Sequence, residues 1–591
     1  MSRTNQMISD LLRFNNALNK QKRSRFDKSY SHLTCIDSAD LVPIGWDLVL
    51  PGDEKEIRVS ALARMTTPFV PVMDSAQLYV ASFFVPHRLW WSNAKKFYGE
   101  NLDAEFNEDG EYEFPSLLPS LYRVDVGGEN EHAGSRLNDY LGFPVISADA
   151  CRVLDTLANN GSPIRANAGL HRSYQIIWND YFRNSSIQPA LKLSTGDTVT
   201  STEWLTISKL RQVNKNPDYF TTMLRRPQAG NDVSLPLGDW APIVTRSGSD
   251  GSIGNAKTNV PLRWYNTNNG GAVGPSVGVS NIFLDDRMTY ASQTISPGSN
   301  AEYSSTYPIA PNNLWANLTD ATAATINNIR AAVTIQHLLE TDNAAGKRFN
   351  DIIYAHFGTM TADATLQRPE LLGITKTQVG MRQVLQTGPS AGESSGVGNT
   401  GAVSVTSLDN AWVCNKAFTE PGFIMHLAWI RPEHSYSQGL NPLLTKLDRY
   451  EQYWPAFDNI GNQPVKKSAI FMAYNENTGA TLDTVNDGES RVDSVFGYEE
   501  AWAEYKYKNS VITGELNSEY SSSLDSWHYG DDYSSLPVLS QSWIEEPSTY
   551  VDRTLLVQSN IHDQFTADIF VEQEITAPMP IHCNPGLIDH F

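Results

Sequence analysis

The sequence predicts a mainly β protein, an antiparallel sandwich interrupted by long loops and a few helices. Three observations lead there. Short runs of alternating apolar and polar residues occur towards both ends of the 591-residue chain. Glycine and proline together number 70, enough to punctuate many turns. Aromatic residues make up 10%, with 14 Trp and 25 Tyr, a mixture that suits many short strands better than long helices. No alternation of strand and helix is visible, so distant segments are expected to pair antiparallel and close the sandwich.

The strands are expected at Leu41-Val-Pro-Ile, at Ile57 to Met65 and at Leu78 to Val85, with Pro51-Gly52-Asp53 as a turn between the first two. Further strands are expected at Phe423 to Ile430, Ala469 to Tyr474, Thr554 to Gln558 and Ala567 to Glu572. Leu89 to Tyr98 reads as a short helix. Tyr174, Ile177, Trp178, Tyr181 and Phe182 fall on one helical stripe, and Phe349 to Phe357 repeats that spacing and stops at Gly358. Ile326 to Leu339, apolar on more than one face, reads as a buried helix.

Residues 241–310 differ from their surroundings. Their eight charged residues cancel, and Gly, Asn, Ser and Thr dominate. Such a stretch inside a compact domain implies a surface excursion, and 387–406 reads as a shorter loop of the same kind.

The formal charge is -21, unevenly spread. Residues 1–30 hold seven cations against Asp10 and Asp27, net +5, so the other 561 residues carry -26. Met7, Leu11, Phe14 and Leu18 could share one face of a short amphipathic helix over 6–19. The stretch after it, Lys20 to Tyr30, has too little apolar content to fold alone. Lys and Arg neutralise phosphate without reading sequence, and aromatic rings stack on unpaired bases. That makes Arg13, Lys20, Lys22, Arg23, Arg25, Phe26 and Lys28 candidates for contact with nucleic acid, with Tyr30 a second candidate for stacking. A solvated terminus without a ligand fits the same residues equally well.

Other signals are weaker. No run of about 20 apolar residues exists to span a membrane, and the first residues lack the layout of a signal peptide, so a chain made and kept in a cytosol is expected. Cys35, Cys151, Cys414 and Cys583 form no CxxC pair and are expected as buried, reduced thiols. The glycines from Gly248 to Gly254 before Lys257-Thr258 lack the junction of a phosphate loop. Cys583 with His582 and His590 lacks a second ligand pair of metal-site spacing. Glu499-Glu500 and Glu340 with Asp342 read as solvated or salt-bridged acids, and Asp531-Asp532 as a surface run. No catalytic residue, cofactor or metal is assigned. A lectin-like or carbohydrate-active sandwich would need two carboxylates across a cleft, and a spike or adhesin would have less use for a basic terminus.

Ordered segments then carry a resemblance. They include Arg23-Ser-Arg-Phe-Asp, Leu41-Val-Pro-Ile-Gly, Phe83-Phe-Val-Pro-His-Arg-Leu-Trp-Trp and Asp139-Tyr-Leu-Gly-Phe-Pro. They continue with Arg172-Ser-Tyr-Gln-Ile-Ile-Trp-Asn-Asp-Tyr-Phe-Arg, Leu366-Gln-Arg-Pro-Glu-Leu-Leu-Gly, Phe496-Gly-Tyr-Glu-Glu-Ala-Trp and Asn584-Pro-Gly-Leu-Ile-Asp-His. In this order the chain resembles the major capsid proteins of the Microviridae, in particular the gokushovirus branch. The resemblance implies an eight-stranded antiparallel jelly-roll β-sandwich with long loop and helical insertions. It implies a structural protein, not an enzyme, in a T=1 icosahedral virion assembled in a bacterial cytoplasm. It also divides the chain: a basic internal arm over 1–32, capsid body over 33–240 and 321–591, and a surface protrusion at the three-fold axes over 241–320. The partners it implies are identical subunits, a single-stranded DNA genome, small internal DNA-binding or pilot proteins, and a host receptor met through 241–320. Loops near 100–135 and 430–465 are expected to meet neighbouring subunits.

Overall fold

The structure, a computed structural model, describes residues 23–70, 72–100, 112–124, 136–146, 164–231, 326–379, 381–385, 400–405, 410–472 and 492–582, with short stretches between 150 and 154 and between 233 and 316. The chain divides into two compact units, residues 1–229 with 340–591, and residues 230–339.

Two antiparallel sheets organise the larger unit. Its nine principal strands are β1 (Ser24–Asp27), β2 (Tyr30–Ile36), β3 (Val42–Val49), β4 (Glu54–Met65), β5 (Ala76–Pro86), β6 (Glu370–Val379), β7 (Asn410–Ala417), β8 (Gly422–Pro432) and β9 (Phe565–Ala577). One sheet runs β1-β9-β4-β7, with β2 also on β9; the other runs β6-β5-β8-β3. From β2 to β5 and again from β6 to β9 the chain crosses between sheets at each step, the wrapping a jelly roll requires. The resemblance implies eight strands, whereas these sheets hold nine. The outer neighbour of β9 is broken at Lys28-Ser29: β2 pairs with Phe565 to Val571 and β1 with Glu574 to Ala577.

Burial explains how each strand reads. Along β4 and β9 alternate residues turn inward, such as Ile57, Val59, Ile569 and Val571, while the others face outward. Strand β8 is buried almost throughout, because its sheet is covered on both faces. Ile424, Ala428 and Ile430 enter the core between the sheets. Phe423, Met425, Leu427 and Trp429 enter a second core with Trp90, Trp91, Tyr174 and Trp178. Each such large side chain contributes roughly 1.5–3 kcal/mol of burial. The second core is roofed by helix α1 (Gly169–Ile177), which continues as a π-helical turn over Trp178–Phe182. A third core packs Phe220, from the chain ahead of β6, against Tyr436, Phe496 and Trp543 from the segments that follow β8.

Several expectations change. The helix expected over 89–98 is two short turns, His87–Trp90 and Ala94–Phe97. Ala469 and Ile470 form no strand but pack as a turn into the third core, and Phe471 after them is buried. Thr554 to Gln558 is a turn, touching Pro68 by a single bridge at Leu555. Residues 400–405, expected in a loop, are a strand paired with Met381–Leu385. Helix α2 (Ile326–Ala345) forms where expected, yet Ile329, Val333, Ile335 and Leu338 are exposed rather than buried. Helix α3 (Phe349–Phe357) ends as read, at Gly358 with φ +67°, the left-handed conformation glycine tolerates. Cys414 is buried but Cys35 is exposed; both are free thiols, and Cys151 and Cys583 lie outside the described residues. In the 230–339 unit, Ile243–Thr245 pairs with Leu314–Ala316 and Trp264–Asn266 with Ile309–Pro311.

Candidate nucleic-acid interface

The basic residues of the N-terminal stretch fall into two groups. Arg13, Lys20 and Lys22, with the helix expected over 6–19, lie outside the described residues. Arg23, Arg25, Phe26 and Lys28 are placed on or beside β1, an edge strand that takes its backbone partners from β9. This segment, too poor in apolar residues to fold alone, is ordered by a strand more than 500 residues away.

Each of its cations has a partner in the body. Arg23 donates to the Gly52 carbonyl. Arg25 pairs with Glu574, and its side chain keeps 64% exposure. Lys28 Nζ reaches Asp47 Oδ1 at 2.7 Å. Asp47 also receives Lys55, whose side chain is fully buried, and Gln573 Nε2 at 2.7 Å. Burial would raise the Asp47 carboxyl, but Lys55 and Lys28 outweigh it and hold the group below the usual carboxylate range. Phe26 is half-buried. Tyr30 is not available for stacking on a base: its ring lies over Gly45, where a Cβ would meet the hydroxyl oxygen.

These partners were missed in the sequence, although a signal exists. Lys55 and Gln573 occupy the inward register of β4 and β9, where a polar residue must find a partner.

Two further ion clusters tie together segments distant in the chain. Arg136 reaches Asp37 at 2.8 Å, Asp563 at 2.8 Å and Asp40 at 3.4 Å, joining the end of β2, the approach to β9 and a short helix, Arg136–Tyr140. Burial, opposed by Arg136, pushes Asp40 up to about 7. His434 donates to Asp531 at 2.6 Å and Glu546 at 2.8 Å. Burial opposes its charge, yet the two carboxylates carry its pKa up to about 10. Lys215 reaches the same Asp531 at 3.0 Å, so two cations balance two anions. Asp531, read as a surface acid, is fully buried here. Asp342, expected as a solvated or salt-bridged acid, is 2.7 Å from His356.

One pair has the look of a nucleophile and its base: Ser82 Oγ and His426 Nδ1 lie 2.6 Å apart. Both are fully buried between the sheets, so the pair is a cross-strand contact without access for a substrate. Among the described residues no His, Cys, Asp and Glu side chains group so as to hold a metal ion, and no helix is long and apolar enough to cross a membrane.

A family model described as capsid protein (F protein) matches residues 17–587, nearly the whole chain and both sheets. The chain belongs to this phage capsid protein family. Among its relatives is capsid protein VP1 of Chlamydia phage 1, 31% identical over 96% of either chain. VP1 of Spiroplasma virus 4 is 30% identical over 99% of both, and VP1 of Bdellovibrio phage phiMH2K 30% identical over 96% of both. The resemblance to gokushovirus capsid proteins is thereby upheld. As a capsid protein the chain is a virion component.

Proposed function

We propose that this chain assembles with copies of itself into an icosahedral shell around a single-stranded DNA genome, with the N-terminal arm inward and residues 241–320 outward. What supports the reading is the match of capsid relatives over almost the full length of both chains. The body then acts structurally, not as an enzyme: two sheets, one covered on both faces, make a wedge stiff enough to repeat around closed symmetry.

The arm's role is divided by the ion pairs at its base. Lys28 and Arg25 are engaged by Asp47 and Glu574, so they anchor the arm, and Arg25 still presents an open guanidinium. Arg13, Lys20, Lys22 and Arg23 carry the remaining charge towards phosphate, with Phe26 beside them. On a body of net -26, such a contact is weak and local, because the rest of the inner surface repels the genome. The DNA content and form of purified particles test this. Wild-type protein should give closed shells by negative-stain microscopy. Replacing Arg13, Lys20, Lys22 and Arg23 with Ala should leave shells that retain little DNA. Full DNA content in those particles would remove the arm's role; absence of shells from the wild type would remove the shell.

A further inference from the structure

The segments after β8 build a surface that the sandwich does not use. Residues 442–460 and 500–507 are cross-braced at their base. Trp502 Nε1 donates to the Phe457 carbonyl at 2.9 Å, and the Tyr505 hydroxyl to Gln452 at 3.0 Å. Lys446 pairs with Glu504 beneath them and lies 4.5 Å from the centre of the Trp502 ring. Above this base the side chains of Leu444, Tyr450, Tyr453 and Trp454 are exposed, and Leu447 is exposed to 90%.

Leu447 is not a loose loop tip. Its backbone N–H donates to Glu451 Oε2 at 2.8 Å, and that of Asp448 to the same oxygen at 3.1 Å. Asp448 in turn accepts from the Arg449 N–H at 2.6 Å, and Trp454 Nε1 donates to the Arg449 carbonyl at 3.0 Å. Single exposed apolar side chains are ordinary. A contiguous set displayed on a hydrogen-bonded scaffold is not, and holding it rigid lowers the entropy lost when a partner binds.

The charges say which partner fits. Counted to the next cation, over 442–466 and 500–508, Lys446, Arg449 and Lys466 match Asp448, Glu451 and Asp458 in number, and Lys506 and Lys508 match Glu500 and Glu504, so the charges balance. Nucleic acid requires an excess of cations, which this surface lacks. Two copies of a chain carrying -21 repel each other over most of their surface. They can approach where the signs are mixed and balanced, and here Lys446–Glu504 and Lys506–Glu500 are already neutralised within the chain. Exposed Tyr, Trp and Arg are the side chains that anchor such contacts.

We propose that this aromatic surface is a contact between copies of the chain, with Leu447 seated in the neighbouring subunit. The proposal rests on the shell reading above and assigns it a location.

Leu447→Asp tests it, beside Leu447→Ser, which keeps the backbone brace and changes only an exposed side chain. Circular dichroism and thermal unfolding should match the wild type. Sedimentation should show that the concentration needed for assembly rises ~10-fold or more. Assembly at wild-type concentration would overturn the proposal while leaving the shell reading intact. Variant shells that form normally but fail to adsorb to host cells would also overturn it, assigning the surface to a host ligand. A wild-type chain that stays monomeric at every concentration would overturn both readings together.

Discussion

Asp40 shows what a single residue contributes when charge and burial conflict. It shares Arg136 with Asp37 and Asp563, three carboxylates on one guanidinium, and its folded pKa of about 7 lies above the ordinary 3.8. The folded protein therefore holds this proton more tightly than the unfolded chain. The associated stability is fully present below about pH 4 and is lost as pH rises through 7. At 1.36 kcal/mol per unit, the loss is on the order of 4 kcal/mol as an upper bound. Asp40→Asn keeps the shape and removes the charge, so denaturant midpoints should fall less from pH 5 to pH 8 than in the wild type. An equal fall in both proteins would show that Asp40 is not the group responsible. His434 has the same pH sense in a higher window: raised from 6.5 to about 10, its contribution is fully present below about pH 6.5 and is lost as pH rises towards 10. Neither residue was legible in the sequence. Asp531 stands in an acidic pair that reads as surface, and nothing local says that His434 and Lys215 will close on it.

At the scale of elements, legibility followed how local the cause was. Strands β4 and β9 show the two-residue period, and β8 the continuous apolar run of a strand covered on both faces; all three were readable. Strand β1 was not, because Arg25 and Phe26 become a strand only when β9 supplies the ladder. The apolar runs at 469–471 and 554–556 misled for the converse reason. Ala469, Ile470 and Leu555 are wanted by a core, whereas Leu556 is exposed, and their backbones have no neighbouring strand. Helix α2 misled differently, since an apolar composition states a demand for burial without stating that the same chain meets it. The close approach of β2 to β3 gives a direct test. A Cβ on Gly45 would lie 1.8 Å from the Tyr30 hydroxyl oxygen, so Gly45→Ala must displace that ring. The expected cost is about 1–3 kcal/mol in unfolding free energy, accompanied by faster proteolysis near residue 30. Tyr30→Phe in the same chain should recover part of it. An unchanged unfolding midpoint in the single variant would show that Tyr30 does not pack there.

For the whole molecule, the larger unit contains both sheets and all three cores described above, while residues 230–339 form a compact unit of their own. Removing residues 241–320 and joining the ends with a short Gly-Ser linker should therefore leave assembly intact and reduce adsorption to host cells. Microscopy and an adsorption assay read the two effects separately, and loss of particles would make the insertion part of the shell instead. The neutral, Gly- and Asn-rich make-up of residues 241–310 was plain in the sequence, as was the sandwich. The strand order was not, because it depends on contacts between the two ends of the chain.

That meeting of ends sets a clock. Strand β9 lies inside its sheet, between β4 and the pair β1 and β2, and Thr566 bonds to Arg64 across 502 residues of chain. A ribosome must release nearly the whole polypeptide before this strand can be inserted, and pairing over such a separation is slow. Until then the sheet has a vacant central position, and the apolar face of β4 lacks its neighbour. A truncated chain therefore cannot present the finished wedge, and translation that stops early yields material that the growing particle has no way to accept. Completeness of synthesis is thereby a geometric condition for the finished sheet.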